Sequence, residues 1–168
     1  NDLGYVNRIR VIGDNLYVCG MSRQVYRFTS DGKDLSAGEW INVAGSMRQP
    51  PSSEPPDDDG EAFDQWLEDN DSIDLVDING PSDTDIYAVG DEVWHFDGRA
   101  WQQLAMRSDD PLAAIKVLDQ KRVVLVGHNG SVLIGNAKDG FSDLSTAGDN
   151  QNFTAVEWFE EKLFLASN

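Results

Sequence analysis

The sequence of 168 residues holds one cysteine and two histidines, and its 13 lysines and arginines stand against 30 aspartates and glutamates. Each scarcity excludes something. Cys19 has no partner for an internal disulfide, and no Cys/His cluster exists that would close a zinc site. It lies in an apolar strand and is expected to be buried as a small hydrophobe. A reducing compartment is compatible with that state, and the cytoplasm is the favoured location. A formal net charge of −17 argues against nucleic acid and against anionic membranes, because both are held by basic patches. It suits a protein partner that is itself basic. No apolar run reaches 18 residues, so no transmembrane helix is expected.

Groups for catalysis are equally sparse. His95 falls on a strand, facing solvent or a neighbouring unit. His128 sits in the Gly127-His-Asn-Gly130 turn and is expected to be exposed. No serine occupies a nucleophile elbow and no Gly-rich phosphate loop is present. Carboxylates are too many for any pair to stand out as an acid/base dyad. The chain therefore reads as non-catalytic, without cofactor or metal.

What is present is a repeat. Three times the chain runs through an alternating apolar stretch, a turn, a stretch ending in glycine, another alternating stretch and an aromatic. The first copy is Arg8–Ile12, Leu16–Gly20, Val25–Phe28 and Trp40. The second is Leu75–Ile78, Ile86–Gly90, Glu92–Phe96 and Trp101, and the third Ala114–Leu118, Val123–Gly127, Ser131–Ile134 and Phe141. A fourth begins at Phe153–Trp158 and Leu163–Ala166. Four-stranded units recurring about every 40 residues point to the blades of a β-propeller. The expected fold is all-β, a propeller of four-stranded antiparallel blades with about three and a half present: residues 5–45, 72–107, 112–147 and an incomplete 152–168. Asp31-Gly32, Asp97-Gly98 and Asp139-Gly140 are turn residues. Trp40, Trp101 and Phe141 are expected to pack between blades.

The second runs are the most apolar and are expected to lie deepest. The core should comprise Ile9, Val11, Leu16, Val18, Val76, Ile78, Ile86, Ala88, Ile115, Val117, Val124, Val126, Val156 and Leu163. Three and a half blades do not close a ring, and open blade faces need cover. The chain is thus expected to be part of a longer protein that supplies the remaining blades, or to form a homodimer in which two copies make seven.

One interval carries about 30 extra residues, at 46–71. Four prolines and Asp57-Asp-Asp59 open this insertion and imply an exposed, mobile loop. Phe63, Trp66 and Leu67 then share one face of a short helix. One reading has these three side chains pack the insertion onto the propeller as a surface decoration; the other has the acidic loop meet a basic partner with Trp66 as an anchor, which gives a candidate binding element: Asp57, Asp58, Asp59, Glu61, Asp64, Trp66, Glu68 and Asp69. Calcium is disfavoured because the Asp-x-Asp-x-Asp-Gly spacing is absent.

In the second repeat the wording narrows. Asp71-Ser-Ile-Asp74, Asp85-Ile-Tyr-Ala-Val-Gly90, Glu92-Val-Trp-His-Phe-Asp-Gly98 and Trp101 resemble bacterial propeller-like repeat proteins with phrases of the IDG…DIYAVG…EIWHFDG…W type. Some of those resemble neighbours of polymorphic toxins delivered by contact-dependent or type VI secretion. The resemblance implies an immunity protein that neutralises a basic toxin domain. A fainter similarity to sialidase-type propellers fails at Ser30-Asp31-Gly32 and Trp40, which depart from the Asp-box spacing. The alternative function is a glycan-binding or glycan-processing propeller, with Trp94, Trp101 and Trp158 stacking on sugars.

Overall fold

A computed structural model describes residues 4–30, 38–47, 60–62, 73–107, 110–146, 148 and 150–168. Period-two alternation of branched and aromatic residues yields antiparallel strands, gathered into sheets strictly in chain order. The first sheet is β1 (Val6–Ile12), β2 (Asn15–Gly20), β3 (Val25–Thr29) and β4 (Glu39–Asn42). The second is β5 (Leu75–Ser82), β6 (Asp85–Gly90), β7 (Val93–Phe96) and β8 (Trp101–Gln103). The third is β9 (Leu112–Asp119), β10 (Arg122–Gly127), β11 (Val132–Asn136) and β12 (Gly140–Asp143). The fourth has β13 (Phe153–Phe159) and β14 (Lys162–Ser167) alone. Helical structure among the described residues is confined to single turns at Gly45–Met47 and His128–Gly130 and to residues 61–62.

Each sheet packs on the next, and the leading strands meet in series: β1 against β5, β5 against β9, β9 against β13. Three apolar layers result. Ile12, Tyr17, Val25 and Met47 meet Leu75, Ile78 and Trp101. Tyr87, Val89 and Val93 meet Leu112, Ile115 and Leu125. Ala114, Val124 and Val126 meet Phe153, flanked by Val156 and Leu163. β6 and β10 are covered on both faces, so almost every residue in them is buried.

The repeat extends to register. All four leading strands slip by one residue near their start, at Asn7, Val76, Ala113 and Thr154. This shared bulge aligns Ile9 with Ile78, Ile115 and Val156, and Arg8 with Asp77, Ala114 and Ala155. Bulges of this kind add twist and re-aim the side chains that follow.

Two expected core residues are corrected. Ile9 and Val11 are 56% and 72% exposed. Their strand places Ile12 against the second sheet and turns Ile9 the other way, toward the side that Ile78 and Ile115 use to meet a preceding sheet. The first sheet has no preceding sheet among the described residues, so the same face stays open. The fourth-strand aromatics follow the same rule. Trp101 is 5% exposed, its indole N–H donates to the Val43 carbonyl at 2.9 Å, and its ring leans on Phe96. Phe141 packs edge-on against Tyr87 of the second sheet. Trp40 lies on the uncovered face and is 43% exposed. Gly98 and Gly140 take the left-handed φ of 88° that their turns require, whereas Asp31-Gly32 lies outside the described residues.

Tyrosines at matching positions tie sheet to sheet. The Tyr17 hydroxyl donates to Asp83 at 3.2 Å, and the Tyr87 hydroxyl accepts from the Ala137 amide at 2.9 Å.

Candidate interaction surface

Because strands alternate in direction, one end of the stack collects the β2–β3 and β6–β7 hairpins and the connections between sheets. The insertion leaves β4 and enters β5 at this end. Asp57, Asp58, Asp59, Asp64, Trp66, Glu68 and Asp69 lie outside the described residues, as does the expected helix over Phe63, Trp66 and Leu67. Glu61 is described and exposed. The returning chain is anchored firmly: the Arg23 amide donates to the Ile73 carbonyl at 3.0 Å, and the Ser22 amide to Asp74 Oδ1 at 3.3 Å. Asp74 in turn donates its amide to Asp91 Oδ2 at 2.8 Å.

Beside that return sits a two-pronged ion pair. Arg23 forks onto Glu92, with Nε to Oε2 at 2.7 Å and Nη2 to Oε1 at 2.6 Å, and the two side chains are 12% and 16% exposed. The Trp94 indole N–H donates to the same Oε2 at 2.7 Å, and the Arg23 guanidinium lies over the Trp94 ring at 5.9 Å. Burial disfavours the charged Glu92, but the hydrogen bonds from Arg23 and Trp94 outweigh it, and the carboxyl sits below its ordinary 4.5. The lowered folded value means this contribution is complete above about pH 4.5 and disappears as pH falls through the lower folded value. Urea unfolding of Glu92→Gln is therefore expected to lose part of the acid-side slope seen in the wild type. Equal slopes below pH 4.5 in the two proteins would refute that assignment.

The leading strands carry a second polar set. Arg10, Asn79, Lys116 and Glu157 occupy one register position in the four repeats. Lys116 pairs with Glu157. Arg10 forks onto Asp77, Nε to Oδ1 at 3.2 Å and Nη2 to Oδ2 at 3.1 Å. Arg8 Nε also approaches Asp77 Oδ1 to 3.2 Å, but without hydrogen-bond alignment. Asp77 itself is fully buried. Its carboxylate is spent on joining sheets, with bonds from Arg10 and from the Ile78 and Ile115 amides, and not on an exposed surface. The signal was its position, an acid where the other repeats have Arg8, Ala114 and Ala155.

The remaining candidates sort by burial. Trp101 is enclosed and Trp94 is engaged by Glu92 and Arg23, so of the three proposed sugar platforms only Trp158 is open, at 38% exposure. His95 Nε2 lies 2.9 Å from Asp85 Oδ1 and its ring stacks on Tyr87. His128 is exposed. Cys19 is fully buried, and burial pushes its thiol far above the range where a thiolate forms. Among the described residues no group of three or more His, Cys, Asp or Glu side chains converges as metal ligands would.

No protein-family model matches the chain, and no solved structure matches it. It is 25% identical over 166 residues to immune protein Tsi7 of Pseudomonas aeruginosa strain PAO1, a match covering 98% of this chain and 47% of that protein. The chain thus spans about half the length of the curated relative it matches.

Proposed function

We propose that this chain is a non-catalytic immunity module that neutralises a toxin by binding it, built as an arc of a β-propeller with residues 46–71 inserted between its first two blades. The likeness to an immune protein over 98% of the chain carries this reading. The sheet order and the recurring bulge support the propeller arc. The acidic insertion, Asp57 to Asp59 with Glu61, Asp64, Trp66, Glu68 and Asp69, is the proposed contact. Its carboxylates would steer a basic toxin surface into place, and Trp66 would provide the apolar anchor.

The test uses the product of the gene adjacent to the one encoding this chain. Co-expression in a bacterial host should rescue growth, and the two proteins should co-purify in a complex that weakens as salt rises. Changing Asp57, Asp58 and Asp59 together to Asn should slow association about tenfold or more at low salt. A well-folded chain that neither binds nor rescues would refute the immunity reading. Rescue unaffected by the triple change would place the contact elsewhere.

A further inference from the structure

The joint between the first and second sheets is filled where the joint between the second and third is hollow. One repeated bond fixes the equivalent positions: the amides of Val43, Leu104 and Leu144 reach the carbonyls of Val25, Val93 and Val132 at 2.9, 2.8 and 2.8 Å. Counted from that bond, Trp101 matches Phe141 and Phe96 matches Gly135. In the first joint the Trp101 indole leans on Phe96 and donates to the Val43 carbonyl. Met47, 2% exposed, closes the same layer. In the second joint a phenyl ring stands for the indole and a glycine for Phe96. Met47 lies four residues past Val43, and four past Leu104 the sequence has Ser108.

The result is a hollow of about 220 Å³ between the chain leaving β8 and the β11–β12 hairpin. Its apolar wall is Leu104, Met106, Leu133, Ala137 and Phe141, all half-buried against the layer beneath. An apolar cavity of about 150 Å³ already takes benzene, so this one has room for a methionine or phenylalanine side chain. Polar groups at its mouth are occupied by their own turns. Asn136 donates to the Lys121 carbonyl and to Asp139, and its oxygen accepts from the Lys138 and Asp139 amides. Asp143 accepts from the Ser145 amide at 2.8 Å, and Arg107 is exposed at the rim. What the hollow offers inside is carbon.

We propose that this hollow is a socket for one apolar side chain of a partner protein, a methionine or a residue of like size. The proposal rests on the immunity reading, with the toxin as the partner. The molecule's own repeat supplies the occupant's chemistry: one sheet earlier, the layer is closed by the unbranched thioether chain of Met47, carried by the segment that leaves β4. Apolar pockets ringed by polar groups are where the anchoring side chains of an interface gain most.

Methyl NMR on the folded chain should show saturable shifts at Met106 and Leu133 on titration with N-acetyl-methionine methylamide, in the millimolar range usual for so small a ligand. Phe141→Trp, which copies the first joint, and Ala137→Leu, which adds carbon to the wall, should each abolish those shifts and keep the β-sheet spectrum. The product of the adjacent gene should perturb the same two methyl-bearing side chains, and either filled variant should weaken that complex about tenfold or more. No response to the methionine probe would overturn the socket, and so would full toxin affinity in both variants. A response to the probe, with none to a toxin that binds, would overturn the partner and give the hollow to a free small molecule. A toxin that does not bind the wild type would refute the immunity reading and this partner together, whatever the probe shows.

Discussion

Replacing Asp77 with alanine should destabilise the protein by about 3–4 kcal/mol, the cost of removing the carboxylate that several buried donors share. The carboxylate is wholly excluded from solvent, yet it serves three sheets. Oδ1 accepts from Arg10 Nε at 3.2 Å and from the Ile78 amide at 3.0 Å, while Oδ2 accepts from Arg10 Nη2 at 3.1 Å and the Ile115 amide at 3.0 Å. Arg10 belongs to the first sheet, Asp77 and Ile78 to the second, Ile115 to the third. The hydrogen bond to Asp77 is also the chief reason the Arg10 guanidinium holds its proton more firmly than usual. Arg10 is 38% exposed and can recover water after the change. The Ile78 and Ile115 amides cannot, so they dominate the loss. Thermal melting should show a midpoint lower by roughly 10 °C for a chain of this size. A loss under about 1 kcal/mol would mean that water reaches both amides and that the staple is not structural.

The strands of this protein were legible in sequence because alternation, Asp-Gly turns and a terminal glycine are local signals, and they recur in phase. What is not local was not legible. Arg23 and Glu92 are far apart in the chain, and nothing near either one announces the other. The bulge at Asn7, Val76, Ala113 and Thr154 has no residue signature, yet it decides which side chains follow on which face. Ile9 makes the limit concrete. Its sequence context is that of Ile78, and the backbone turns it to the equivalent side. Burial, however, is a property of the pair of surfaces, and only one of the two surfaces is in the alternation pattern. The proposed contact in the insertion stays a matter of charge and composition, except at Glu61, because those residues lie outside the described structure.

Gly90→Ala should cost about 3 kcal/mol or more, and the reason lies in how each sheet begins. A Cβ at Gly90 would stand 1.8 Å from the Asp74 carbonyl oxygen and 3.0 Å from the Leu75 Cα, both backbone atoms. Gly20 and Gly127 face the same obstruction, from Tyr5 and Pro111, at 2.2 Å each. None of the three sits in the left-handed region, so the constraint is crowding rather than φ. The crowding comes from a bond repeated in every sheet: the next residue's amide reaches back to the carbonyl just before the leading strand, Met21 to Tyr5 at 3.0 Å, Asp91 to Asp74 at 3.1 Å and His128 to Pro111 at 2.9 Å. The fourth sheet supplies a natural contrast, because Ser167 replaces the glycine there and the corresponding bond, Asn168 to Asn152, stretches to 3.4 Å. A side chain at this position is thus accommodated by opening the strand pair. The fourth sheet can open because β14 is flanked by no third strand among the described residues. The second sheet cannot, since β6 is held by β5 and β7 and buried on both faces. Alanine at Gly90 should therefore lower the melting midpoint by roughly 6–12 °C, whereas Ser167→Gly should leave it nearly unchanged. Equal tolerance at the two positions would mean that β5 and β6 separate as freely as the terminal hairpin, and that the glycine is not what keeps the sheets closed at their leading edge.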